Sequence, residues 1–126
     1  MNLQSPIAKV RGLGSAKQGT HHWWYQRLTA VALVPLTLWV MSSIINATSM
    51  GYSDVQTWLT SPLNAALFLA FISALFFHAQ LGMQVVIEDY IESEWQKIGC
   101  IMLVKFLAVI AGLASALAIL KVYIGI

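Results

Sequence analysis

Apolar residues collect in three long runs, near Leu28–Ala47, Leu63–Ile87 and Gly99–Tyr123, with short polar stretches between them. A helix rises 1.5 Å per residue, so a run of roughly 20 residues crosses a hydrocarbon layer about 30 Å thick. The pattern predicts an all-α integral membrane protein with three transmembrane helices. Residues 1–126 read as one membrane domain, with a tail over 1–27 and spans over 28–47, 63–87 and 99–123. Pro35 falls inside the first run, where a membrane helix tolerates proline. Pro62 suits the first turn of the second helix, with Thr60 and Ser61 before it as possible caps.

Composition narrows the class. Of the 126 residues, 59% are hydrophobic and only 10% charged, against about a quarter charged in a soluble domain. The chain is too short for two domains and too apolar for a surface that faces water all round. A single cysteine, Cys100, cannot form an internal disulfide. No zinc-spaced Cys/His cluster, nucleophile–base set, phosphate loop or acid cluster builds a soluble catalytic site, and a net charge of +2 is too small to suggest nucleic acid.

Where the charges lie is more informative than their sum. The tail carries Lys9, Arg11, Lys17 and Arg27 and no acid, and the stretch "TSMGYSDVQTWLTSP" has no Lys or Arg. Lys97 and Lys105 follow the second run, and Lys121 stands near the end of the third. Basic loops stay in the cytoplasm, so the expected topology is N-terminus inside and C-terminus outside. Trp23, Trp24, Tyr25, Trp58, Tyr90, Trp95 and Tyr123 flank the runs, as residues of the headgroup layer do. The first run begins too late and is too long for the core of a cleaved signal peptide, so none is expected.

Helix packing shows in two rows of small residues, Ala108, Gly112 and Ala116 in the third run and Ala70, Ala74, His78 and Gly82 in the second. His78 stands nine residues before Ile87, roughly 13 Å below the inner edge of the span. It reads either as a histidine bonded to a neighbouring helix or as a metal ligand, since neutral imidazole is a common axial ligand of haem iron. Gly82, one turn on, removes bulk beside the ring, which suits a flat macrocycle or a close helix. Asp89 lies eleven residues beyond His78, within ~20° of the same helix face. Asp89 and Tyr90 read as a helix-end charge and a headgroup anchor, or as a hydrogen-bonding pair for a carbonyl ligand in the interface. Arg27 either snorkels to headgroups or clamps a carboxylate with paired hydrogen bonds. Glu88, Glu92 and Glu94 form a solvated acidic loop or a rim for a basic partner.

The stretch "HAQLGMQVVIEDY" resembles the H-A-x-x-G-M-x-x-V-x-x-D-Y motif of the D-type hydrophobic membrane anchors of succinate dehydrogenase. "GTHHWWYQRLTA" is similar to the His-to-Arg approach to the first helix in that family. The resemblance runs from about Gly12 onward. It implies a noncatalytic membrane-anchor domain in a heteromeric helical bundle, with haem b shared with a C-type cytochrome b anchor subunit. It also implies that a flavoprotein subunit and an iron–sulfur subunit bind on the cytoplasmic face, with ubiquinone as electron acceptor. The implied location is the bacterial inner membrane in preference to the mitochondrial one. Residue by residue, His78 would be one axial haem ligand and Tyr90 a hydrogen-bond donor to quinone, with Asp89 alongside. Arg27 would approach a haem propionate with His21 nearby, His21 being preferred to His22 because it stands six residues before Arg27. Gly82 would give room to haem or to a packed helix.

Two other readings stay open. One is a small oligomeric transporter with His78 or Asp89 as a proton-linked site, although no inverted repeat is visible and the acid lies at the edge of its span. The other is a fumarate reductase anchor, differing in preferred direction and quinone.

Overall fold

Residues 5–10 and 17–126 are described by a computed structural model, in which five helices follow one another. They are α1 (Pro6–Val10), α2 (Lys17–Ala47), α3 (Tyr52–Leu59), α4 (Pro62–Tyr90) and α5 (Glu94–Ile124). Three stretches, Gly19–Ala47, Pro62–Tyr90 and Glu94–Ile124, are long and apolar enough to cross a membrane, at 29, 29 and 31 residues. At 1.5 Å per residue each measures ~43–47 Å, enough for the hydrocarbon layer and both headgroup layers. Arg11 lies outside the described residues, as do the side chains of Lys9 and Lys17.

The helices run past the spans expected from hydropathy. α2 starts at Lys17, so His21 through Arg27 sit on the helix and not in a tail. Polar side chains end the apolar run, but they do not end the backbone's need for internal hydrogen bonds, which persists toward the headgroup layer. The polar linker after α2 contains α3, whose start is held by Asp54 Oδ2 accepting from the Gly51 N–H at 3.2 Å. Ser61 occupies the cap position of α4 with Pro62 behind it, but its hydroxyl makes no capping bond, and Thr60 instead closes α3. The Asn64 side-chain amide donates to the Trp58 carbonyl at 2.8 Å, tying α4 to the end of α3. Only Ile91, Glu92 and Ser93 separate α4 from α5, and Gly125 ends α5 at φ 79°, a left-handed conformation that glycine adopts at low cost.

α4 is the central helix: α2 packs on it along one side and α5 along another, while α3 sits across the end where α4 begins and α5 finishes. Near that end, Trp39 of α2, Trp58 of α3 and Phe68 of α4 form a three-ring cluster with centroids 5.0–5.9 Å apart. On the α5 side the expected small row makes contact, since a methyl group on Gly112 would lie 3.6 Å from Phe76. Among the described residues, only Val40, Ala65, Leu81 and Ile87 are buried apolar side chains. Val31, Leu117 and Phe106 are exposed by 71%, 66% and 63%. In water such a surface would aggregate; against lipid or other helices it is the ordinary exterior of a membrane protein.

Two substitutions test this packing. Trp58→Ala is expected to cost about 1–3 kcal/mol of stability in detergent, less than a fully buried tryptophan because the ring is half-exposed. Gly112→Ala should be tolerated within about 0.5 kcal/mol, whereas Gly112→Leu should cost about 1–3 kcal/mol by forcing Phe76 aside. Both are read from thermal unfolding of the purified protein.

Candidate functional site

His78 lies close to the middle of α4 and is half-buried. Its Nδ1 is 3.0 Å from the hydroxyl oxygen of Thr29 on α2. That hydroxyl is also 2.8 Å from the Tyr25 carbonyl and 3.0 Å from the Gln26 carbonyl. Such a contact between membrane helices contributes on average about 0.6 kcal/mol, too little to hold α2 on α4. Packing does that, and the hydrogen bond sets the orientation of the ring.

The same face of α2 continues the contact. Gln26 lies one turn before Thr29, and its Nε2 is 3.5 Å from where a Cβ on Gly82 would be. A side chain of α2 thus packs beside Gly82, at a distance where a methyl group would make ordinary contact. His22 precedes Gln26 by four residues and is half-buried on this face. His22 Nε2 and Gln26 Oε1 are both shielded and have no hydrogen-bond partner among the described residues.

His21 and Arg27 point elsewhere. His21 is exposed, and the guanidinium of Arg27 stacks on Trp23 at 4.6 Å from the ring centroid. Six residues of helix turn through ~600°, leaving these two ~120° apart around α2. Arg27 is likewise ~160° from Thr29. Within this chain, neither converges on His78. Tyr25 meets Phe77 edge-on, with centroids 6.0 Å apart, and so flanks the His78 contact from its open side.

α4 continues unbroken to Tyr90, which keeps Asp89 on the His78 side of the helix and ~16 Å along its axis. Asp89 is exposed, and so is Tyr90, at 83%. Beside them runs a ladder of side chains one turn apart: Gln80 donates to Gln84 at 3.3 Å, and Gln84 donates to Glu88 at 2.8 Å. Glu94 pairs with Lys97 at 3.3 Å at the start of α5. A groove of about 540 Å³ lies between α4 and α5, with Phe76 and Gly112 in its floor and Gln80 and Lys105 among its lining residues.

Chemically, the arrangement offers one imidazole with its second nitrogen, Nε2, unengaged among the described residues. A single donor holds no metal ion alone, and among the described residues no group of three His, Cys, Asp or Glu gathers. A metal centre that drew a single ligand from this chain, as a haem would, could take it from His78. The expected residues therefore divide: His78 and Gly82 meet α2 together, Asp89 and Tyr90 stand at the exposed end of α4, and His21 and Arg27 lie apart. Thr29 and Gln26 were not singled out from sequence and His22 was ranked behind His21, although a spacing of four and three residues puts His22, Gln26 and Thr29 on one face. What sequence lacks is the register between α2 and α4 that brings this face to His78.

Comparison with known proteins gives the same direction throughout. Residues 1–112 match the model of a family described as the succinate dehydrogenase/fumarate reductase transmembrane subunit. The succinate dehydrogenase hydrophobic membrane anchor subunit of Rickettsia bellii is 34% identical over 118 residues, 94% of each chain. That of Paracoccus denitrificans is 32% identical over 119 residues, 94% of this chain and 92% of its own. The succinate dehydrogenase membrane anchor subunit of Reclinomonas americana is 32% identical over 96 residues, covering 74% of this chain and 80% of that one. No solved structure matches the chain significantly. With a family match over most of its length and relatives alike almost from end to end, this chain belongs to the succinate dehydrogenase/fumarate reductase transmembrane subunits.

Proposed function

We propose that the chain anchors a succinate:quinone oxidoreductase in the membrane and contributes one side of a haem b site and part of a ubiquinone site. The observation that carries this reading is likeness over 94% of the chain to proteins named succinate dehydrogenase hydrophobic membrane anchor subunits. A flavoprotein and an iron–sulfur subunit would dock where α4 ends and α5 begins, and a C-type anchor would pack on the apolar flanks. Succinate chemistry belongs to those two partners; this chain binds and orients.

His78 supplies a ligand through Nε2 from the depth of the membrane, between helices that exclude water. When bound there, haem b accepts and returns single electrons at a potential set by its ligands and surroundings. The fit is supported by an imidazole already tied at Nδ1 and free at Nε2 among the described residues. Asp89 and Tyr90 act at the interface: the Tyr90 phenol donates a hydrogen bond to a quinone carbonyl, and Asp89 accepts hydrogen bonds beside it. Their exposure in the single chain suits a site that partner subunits complete. Arg27 remains a candidate for a propionate only through a haem edge that passes the Trp23 face of α2, since it points away from Thr29.

The orientation proposed is N-terminus inside, which brings the α4–α5 turn to the cytoplasmic side with the docked partners. In a Cys100→Ala background, Ser49→Cys should react with a membrane-impermeant maleimide added outside intact cells. Ser93→Cys should react only after the membrane is opened, and the reverse pattern would overturn the topology.

A dithionite-reduced minus oxidised spectrum of the intact complex is expected to show a b-type signal, and His78→Ala to abolish the low-spin form. A wild-type low-spin spectrum in that variant would remove His78 from the site. Tyr90→Phe should lower quinone reduction about 10-fold, near 1.4 kcal/mol for a lost hydrogen bond in a reacting complex. Succinate oxidation with an artificial acceptor that bypasses quinone should be unchanged by it.

A further inference from the structure

Thr29 stands at the junction of two carbonyl oxygens and one ring nitrogen, with one proton to give. Its hydroxyl oxygen is 2.8 Å from the Tyr25 carbonyl, 3.0 Å from the Gln26 carbonyl and 3.0 Å from His78 Nδ1. If the hydroxyl proton pointed to Nδ1, two carbonyl oxygens would face the hydroxyl lone pairs at hydrogen-bond distance with no proton between them. Placed toward the carbonyls, the proton satisfies both by a shared bond, as back-bonded threonines do in helices. The hydroxyl lone pairs then face Nδ1, and a contact of 3.0 Å is favourable there only if Nδ1 carries hydrogen. In a neutral imidazole, that leaves the lone pair on Nε2.

We infer that Thr29 is a positioning residue for His78: by accepting the Nδ1 hydrogen it fixes the ring orientation and the tautomer that presents Nε2 as a ligand. This rests on the reading of His78 as an axial haem ligand. The inference adds a second effect. Hydrogen bonding at Nδ1 makes the imidazole a stronger electron donor through Nε2, as outer partners of metal-binding histidines do. A stronger donor favours ferric over ferrous iron and lowers the haem potential. Gln26 and Tyr25 take part only through their carbonyls, so the device is carried by one turn of α2 and is independent of their side chains.

The test is a potentiometric titration of the haem in the assembled complex, with low-spin electron paramagnetic resonance and haem-to-flavin ratio as companions. Thr29→Val keeps shape and removes the acceptor. It is expected to raise the haem midpoint potential and to shift or broaden the low-spin signal, while Thr29→Ser restores wild-type values. Thr29→Ala gives the same test should valine disturb the α2–α4 contact. A haem-to-flavin ratio that falls in both apolar variants and recovers in Thr29→Ser would also support the inference. Wild-type potential and signal in an apolar variant of normal haem content would overturn it, even with His78→Ala abolishing the low-spin form. A low-spin haem that survives His78→Ala would instead remove the underlying ligand reading.

Discussion

Every polar group placed in hydrocarbon must find its partner inside the protein, and this one demand organises the chain. It makes the backbone helical well beyond the apolar runs, because a helix is the form in which a lone segment satisfies its own N–H and C=O groups. It also governs the hydroxyls. Ser42, Ser43, Ser73 and Ser115 each donate to the carbonyl four residues earlier, at 2.7–2.9 Å, and need no other helix. His78 has no such local outlet: its bond crosses from α4 to α2, so its comfort depends on how those two helices are arranged.

The molecule is correspondingly one-sided. Its aromatic cluster and its few buried apolar residues hold α2, α3 and α4 together, yet most large side chains face outward. A self-sufficient membrane protein would turn its small and polar residues inward and finish its sites alone. Here Asp89 and Tyr90 are exposed, and the His78 imidazole is met from one side, by Thr29 of α2. That agrees with a family of transmembrane subunits, which function as members of a larger complex.

Much of this was legible in the sequence. Three spans follow from run length alone, and the distinction between α4 and its neighbours follows from one histidine within an apolar run and a recognisable motif. Helix ends were less legible: His21–Arg27 reads as tail because its side chains are polar or of the headgroup-seeking aromatic kind, though its backbone is helical. α3 was hidden for a related reason, being short, amphipathic and interrupted by polar residues that hydropathy averages away. His21 was paired with Arg27 by counting six residues along the sequence, which says nothing of direction around a helix. On the helix those two residues diverge, while His22 turns toward α4 with Gln26 and Thr29. Periodicity sorts residues onto faces, but which face meets which helix depends on packing between distant segments.

Three residues, Ile91–Ser93, join two helices each longer than ~40 Å. So short a turn cannot stretch across a bilayer, and α4 and α5 must cross it as an antiparallel hairpin with their joined ends on one side. The link between α2 and α4 is longer, with α3 built into it, and leaves the first helix free to insert ahead of them. The Thr29–His78 contact therefore joins the hairpin to a helix whose own tether leaves it freer to shift, and it does so at the one depth where both side chains meet.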